Sequence, residues 1–101
     1  MPKGETMQAR LTALRGHLYA LLIDSGFRNP KKYSGRQKLT FQEMSALLGC
    51  HRNSYTAWEA EVNGPPSSIM PLIERYEAAT VAHGSWLAHV LGWGRWRDGL
   101  E

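Results

Sequence analysis

Apolar residues near the start of the chain recur at intervals of three and four, the spacing that places side chains on one stripe of an α-helix. This pattern predicts a first helix over residues 7–24. The members of the stripe are Met7, Leu11, Leu14, Leu18 and Leu21. Thr6 is a suitable N-cap, and Ser25 with Gly26 supplies a C-terminal stop that tolerates a left-handed backbone.

The apolar pattern breaks between residues 27 and 38, where turn-forming and basic residues replace it. Asn29 with Pro30 and Ser34 with Gly35 are turn signals. No acid occurs from position 25 to position 42. The cations of this stretch are Arg28, Lys31, Lys32, Arg36 and Lys38. We predict an exposed basic loop over 27–38, which either contacts phosphate or an acidic surface or is simply solvated.

Two short helices are predicted next, separated by a single tight turn. Thr40 and Glu43 have the spacing of a capping box, in which each side chain accepts the backbone N–H of the other residue. The first of the two helices ends at Gly49, and the second runs from about residue 52 to residue 60. Their inward residues are Met44, Leu47 and Leu48 in the first helix and Tyr55 and Trp58 in the second.

The rest of the pattern predicts one or two further helices and no strand. A fourth helix has Ser67 or Ser68 as its N-cap and tolerates Pro71 in its first turn. Its apolar positions are Ile69, Leu72, Ile73 and Tyr76. A last apolar face, over residues 86–91, lies either on a fifth helix capped by Ser85 or on a continuation of the preceding helix across Gly84. Residues 92–101 have no clear period. The predicted fold class is all-α, a compact bundle of four to five helices.

The tight turn between the two short helices indicates a helix-turn-helix. Ser45 supplies a small side chain where the helices cross, and Gly49 allows the positive φ that the turn requires. Because Tyr55 and Trp58 face inward, the outer side of the second helix is left to small and polar residues. These are Arg52, Asn53, Thr56, Ala57 and Ala60.

Residues 40–66 resemble the helix-turn-helix of the lambda-repressor/Cro-type family of bacterial and phage regulators, and a looser resemblance covers 7–80. The matching positions are Thr40, Glu43, Leu48, Gly49, Trp58, Glu59, Gly64 and Pro65. The chain departs from the family at Ser45, where alanine is usual, and at Tyr55, where a β-branched residue is usual. Phe41 stands where a glutamine often contacts phosphate. A narrower similarity links the chain to repressors of anti-CRISPR operons.

This resemblance implies that residues 51–60 lie in the DNA major groove and read base edges. The expected base-reading residues are His51, Arg52, Asn53, Thr56 and Ala57. Phosphate contacts are expected from the start of the first short helix and from the basic loop. Their residues are Lys31, Lys32, Arg36, Lys38, Thr40 and Gln42. The resemblance also implies that Glu59 pairs with Arg15 or Arg10 of the first helix.

Proteins with one recognition helix usually bind palindromic DNA as two-fold dimers, so a homodimer is expected. We predict a DNA-binding domain over 1–80, with the helix-turn-helix at 40–60, and a C-terminal helix and Trp-rich tail over 81–101. This tail is the expected dimer or partner surface, because four tryptophans in 101 residues exceed the needs of one small core. The candidate interface residues are Trp86, Leu87, Val90, Trp93 and Trp96.

Composition narrows the function classes. The chain has 101 residues, a formal charge of +3 and one cysteine, Cys50, so no internal disulfide can form. Its longest apolar run, residues 18–23, is six residues, too short for a membrane span of about 20. No secretory pattern follows the N-terminus, which predicts a cytoplasmic protein. The histidines have no metal-ligand spacing, so neither an enzyme nor a metal or cofactor is expected.

The sequence leaves two functions open. The first is a dimeric transcriptional repressor that reads an inverted repeat in double-stranded DNA. The alternative is an antitoxin or another protein-binding helix-turn-helix module that engages a partner through its C-terminal region.

Overall fold

The leucine stripe near the N-terminus forms α1, Met7–Asp24, with the bounds that the sequence predicts. The Thr6 hydroxyl oxygen accepts the Ala9 N–H at 3.0 Å and so caps the helix as expected. Gly26 follows the helix with φ at +89°, a left-handed conformation that glycine adopts without strain. Five leucines of α1 are buried: Leu11, Leu14, Leu18, Leu21 and Leu22. Three of the four later helices pack against this helix.

The computed structural model describes residues 6–28 and 38–95, and the architecture there is all-α. The helices after α1 are α2 at Phe41–Leu48, α3 at Arg52–Glu59, α4 at Met70–Glu77 and α5 at Gly84–Leu91. α1 packs against α3, α4 and α5, and α2 packs against α3 and α5. No helix in these described ranges is both long and apolar enough to cross a membrane.

One hydrophobic cluster joins all five helices. Its fully buried members outside α1 are Leu39, Met44, Leu48, Tyr55, Ile73 and Leu87. The Tyr76 hydroxyl in α4 donates to the Leu47 carbonyl at 2.8 Å, a buried hydrogen bond that ties α4 to α2. A chain of this length buries only a modest core, so bonds of this kind matter to its stability.

The starts of α4 and α5 differ from the predicted ones. Neither serine caps α4, because the N-cap is Ile69 and it makes no side-chain hydrogen bond; Pro71 does fall in the first turn. Ser85 does not cap α5, because that helix begins at Gly84, directly after a 3₁₀ turn over Val81–His83. The prediction of Ser caps was therefore wrong. The alternative of a continuation across Gly84 is not observed either, because α4 ends at Glu77 and α5 is a separate helix that begins at Gly84.

A short antiparallel pairing closes the described fold, where no strand was predicted. β1, Phe27–Arg28, pairs with β2, Gly94–Arg95, in a register that sets Phe27 opposite Arg95. Two residues per strand are too few to give a sequence period. The pairing brings the end of α5 to the first residues of the predicted basic loop. Lys38 at the far end of that loop is exposed, and positions 29–37 lie outside the described residues.

Candidate nucleic-acid interface

The turn between α2 and α3 forms as the sequence predicts. Gly49 has φ at +68° in the left-handed region. The Cys50 N–H donates to the Ser45 carbonyl at 3.0 Å, which closes the C-terminal end of α2. Ser45 is buried, and its hydroxyl donates to the Gln42 carbonyl at 2.7 Å. The Ser45 hydroxyl is thus satisfied within α2.

The inner side of α3 is fixed by aromatic packing. Tyr55 and Trp58 are buried, with their ring centroids 6.3 Å apart at an interplanar angle of 67°. Phe41 of α2 meets Tyr55 edge-on at 5.5 Å. Edge-to-face pairs of this kind stabilise by about 0.5–1.5 kcal/mol beyond burial alone. The aromatic residues set the roll of α3 about its own axis and decide which residues face outward.

The Tyr55 hydroxyl is buried beside Glu59 and Arg15, but it makes no hydrogen bond of ordinary geometry with any described residue. Burial raises the pKa of Tyr55 far above its usual range, and the neighbouring Glu59 carboxylate adds to this increase. The phenol therefore stays protonated and neutral beside the carboxylate.

A buried ion pair anchors the end of α3 to α1. The Arg15 guanidinium donates to both oxygens of Glu59, at 2.6 and 3.1 Å, and Thr12 adds a hydroxyl donor at 3.0 Å. Arg15 also donates to the Leu39 carbonyl at 3.1 Å, and its guanidinium carbon lies 4.9 Å from the centre of the Phe41 ring. The expected pairing of Glu59 with an arginine of the first helix is confirmed for Arg15.

The other arginine considered for this role has a different partner. Arg10 donates to both Glu77 oxygens, at 2.7 and 2.8 Å, and so links α1 to α4. The contacts of Arg15 with Leu39 and Phe41 were not foreseen. They require the segment before α2 to pass over α1, and no local sequence signal encodes that approach.

The outer side of α3 holds the predicted base-reading residues. His51, Arg52 and Asn53 are exposed, and Thr56 and Ala57 are half-buried. Asn53, Thr56 and Ala57 lie on the outer face of α3, Arg52 lies at the edge of that face, and His51 precedes the helix as its N-cap. A polar face supported from behind by the core therefore exists where the sequence places it.

His51 acts as the N-cap of α3. Its Nδ1 accepts the Asn53 N–H at 3.1 Å, which leaves Nε2 as the ring nitrogen that can carry an N–H. The ring itself is exposed, which leaves an N–H donor available to a phosphate or a base acceptor. The Thr56 hydroxyl donates to the Arg52 carbonyl at 2.9 Å. Thr56 consequently offers an incoming group only its acceptor lone pairs and its methyl group.

The N-terminus of α2 carries two of the residues that were predicted to contact phosphate. Thr40 and Gln42 are exposed. The predicted capping box is present: Thr40 Oγ1 accepts the Glu43 N–H at 3.1 Å, and Glu43 Oε1 accepts the Thr40 N–H at 2.9 Å. The first N–H groups of an α-helix have no intrahelical acceptor, so those of Phe41 and Gln42 can donate outward. Lys31, Lys32 and Arg36 lie outside the described residues.

Two of the predicted dimer residues are instead part of the core. Leu87 is 1% exposed and Trp93 is 6% exposed, so neither is free to contact a second molecule. The indole N–H of Trp93 donates to Glu43 Oε2 at 2.8 Å, which fastens the segment after α5 to the capping box of α2. Trp86 and Val90 are exposed as predicted, and Trp96 lies outside the described residues.

Comparison with known proteins does not assign this chain to a family. No protein-family model, curated protein or solved structure matches the chain.

Proposed function

We propose that this chain is a sequence-specific regulator of transcription, a repressor of the lambda-repressor/Cro type that binds double-stranded DNA. One observation carries the proposal: the inner side of α3 is buried and ion-paired, while its outer side presents Arg52 and Asn53 to solvent. An α-helix with its side chains is about 10–12 Å in diameter, and the major groove is about 12 Å wide, so a helix held in this way fits the groove.

The exposed side chains match the chemistry of base edges. Arg52 has the paired donors that guanine O6 and N7 accept, and Asn53 has the donor and acceptor that complement adenine N7 and N6. The Ala57 and Thr56 methyl groups suit a thymine methyl. Each good bidentate contact discriminates against a wrong base by about 1–3 kcal/mol.

In this proposal the groups around the start of α2 contact the phosphate backbone of the DNA. Exposed Thr40 and Gln42 flank the outward N–H groups there, and exposed Lys38 precedes them. The basic loop adds Lys31, Lys32 and Arg36 by sequence. Such contacts fix orientation and give salt-dependent affinity, whereas the bases give specificity.

Selection of bound DNA from a random pool tests the proposal. The wild-type chain should enrich an inverted repeat whose half-sites are centred about 34 Å apart, one helical turn. Arg52→Ala should relax one base pair in each half-site and weaken binding to the selected site by about 5- to 150-fold, the equivalent of 1–3 kcal/mol. Asn53→Ala should relax a different position.

Arg75→Ala is the matched control, because Arg75 is an exposed arginine in the last turn of α4 and its loss changes the net charge equally. It should leave the enriched motif unchanged. Failure to enrich any motif, or the same relaxation in Arg75→Ala as in Arg52→Ala, would contradict the proposed role of α3.

A further inference from the structure

The segment that follows α5 is bonded to the start of α2. Trp93 is buried, and its indole N–H donates to Glu43 Oε2 at 2.8 Å. The other oxygen of this carboxylate accepts the Thr40 N–H at 2.9 Å and the Thr40 hydroxyl at 3.2 Å. One carboxylate thus joins the segment after α5 to the N-cap of α2, a position where the proposed function places a phosphate contact.

The start of the basic loop is paired with the same segment. The register of β1 and β2 sets Arg28 opposite Gly94 and Arg95 opposite Phe27. Paired strands lie about 4.8 Å apart and rise about 3.4 Å per residue, so the backbones of Arg28 and Arg95, which are diagonal in the pair, are roughly 6 Å apart. Two arginines that are distant in the sequence are therefore neighbours in the fold.

The end of the basic loop reaches this region across α1. A Cβ added at Gly16 of α1 would lie 3.8 Å from Cγ of Lys38, which is exposed. Tyr19 meets the Trp93 ring edge-on, with the ring centroids 5.8 Å apart. Gly16 and Tyr19 are about 4.5 Å apart along the helix axis, so Lys38 and Trp93 contact neighbouring turns of α1.

The two segments that meet here carry positive charge without acids. No Asp or Glu occurs in residues 25–42 or in residues 78–97. Glu43 does approach them, but its carboxylate oxygens accept the donors of Trp93 and Thr40. A group of cations without interspersed acids suits the uniform negative charge of a phosphate backbone. Its continuity with the start of α2 favours DNA over an acidic protein as the partner.

We propose that the segment from Trp93 to Arg95 belongs to the DNA-binding surface, where Arg95 contacts phosphate beside Arg28 and Trp93 is a positioning residue. This inference rests on the proposed function, and it assigns to DNA a segment for which the sequence indicated a dimer or partner role. The surface then extends from α3 across the start of α2 to the β1–β2 pair. Because phosphate contacts carry no sequence information, the base preference remains that of α3.

The salt dependence of DNA affinity tests the role of Arg95. Each phosphate contact that is lost lowers the magnitude of the slope of log affinity against log salt concentration by about 0.9. For Arg95→Gln we expect weaker binding to every duplex, and the ratio of wild-type to variant affinity should fall about 3.5-fold between 50 and 200 mM salt. The DNA motif that the variant enriches should stay unchanged, which also shows that the variant is folded.

Two further variants control for the charge change. Arg95→Lys keeps the positive charge and should retain most of the wild-type slope. Arg75→Gln removes the same charge from an exposed position in α4, an element with none of the proposed DNA contacts, and should leave the slope unchanged. A slope that Arg95→Gln does not alter, as expected if this segment binds a protein instead, would overturn the inference alone. A wild-type chain that binds no DNA would overturn the proposed function as well.

Trp93→Phe separates positioning from a general effect on stability. It removes the indole N–H that bonds to Glu43 and keeps an aromatic ring beside Tyr19. Because Trp93 acts through Arg95 in this proposal, Trp93→Phe should weaken DNA binding about twofold or more in the wild-type background and add little in the Arg95→Gln background. Equal losses in both backgrounds would show that Trp93 only supports the fold and would refute its positioning role.

Discussion

Replacing Glu61 by glycine should stabilise the fold, because Glu61 occupies a backbone position that is suited to glycine. Among the described non-glycine residues it alone has positive φ, at 61°. It lies just beyond α3, where the Val62 N–H donates to the Ala57 carbonyl at 2.9 Å and the Glu61 N–H donates to the Trp58 carbonyl at 3.2 Å. These two bonds form a Schellman motif, whose left-handed residue is usually glycine.

The expected gain follows from opposing contributions. A left-handed backbone costs an L-residue about 1–2 kcal/mol. Glycine cancels about 0.5–1 kcal/mol of that gain, because it loses more conformational entropy on folding than other residues do. Removal of a carboxylate from the negative end of α3 adds about 0.3 kcal/mol. The free energy of unfolding should therefore rise by about 1 kcal/mol, which corresponds to an increase in Tm of about 4–8 °C for a domain of this size.

Thermal and urea denaturation of a small variant series measures this gain and identifies its source. Glu61→Ala removes the carboxylate but keeps a Cβ in the left-handed conformation, so it should gain only the charge contribution. Gly49→Ala makes the reverse change at the end of α2, where an added Cβ would have nothing within 4 Å, and should lose about 1 kcal/mol through conformation alone. If Glu61→Ala stabilised as much as Glu61→Gly, backbone strain would not be the cause.

Two further predictions concern the buried side of α3, and both are read from urea unfolding. Tyr55→Phe removes a buried hydroxyl that makes no hydrogen bond of ordinary geometry, so the free energy of unfolding should stay the same or rise by about 1 kcal/mol. A fall of about 1 kcal/mol would show that the hydroxyl is hydrogen-bonded. Glu59→Gln replaces a carboxylate that is 7% exposed and that also accepts from Thr12, and it should cost about 3 kcal/mol. Glu77→Gln replaces a carboxylate that is 32% exposed and should cost less than about 1 kcal/mol. Arg15 and Arg10 are similarly exposed, at 15% and 18%, so equal losses would contradict the importance of carboxylate burial.

Local signals in the sequence predicted α1, α2 and α3 well. The bounds of α1 follow from its leucine spacing and from Thr6, which caps the helix with its own hydroxyl. The start of α2 follows from the pairing of Thr40 with Glu43, and its end follows from Gly49. Each of these features depends on residues within four positions of one another, so the sequence contains the whole interaction.

Features that depend on distant contacts were not predictable in the same way. The number of tryptophans suggested an external role for Trp93, yet its indole bonds to Glu43, 50 positions earlier. Gly84 likewise has no local signal: an added Cβ there would lie 2.2 Å from the Ser25 hydroxyl oxygen, at the point where α5 crosses the end of α1. Aromatic content predicts that surface is buried, but only the three-dimensional packing decides whether the same chain or a partner buries it.

Under the proposed function, one side of α3 serves stability and the other serves recognition of DNA. Tyr55, Trp58 and Glu59 are buried and bear on the core, so substitutions there change folding. Arg52 is exposed, and a surface position of this kind usually contributes within about 0.5 kcal/mol of stability. Base preference can therefore change at Arg52 with little effect on the fold. His51 is the exception, because its Nδ1 caps the helix while the rest of its ring faces outward, so recognition at that position is coupled to the stability of the α3 N-terminus.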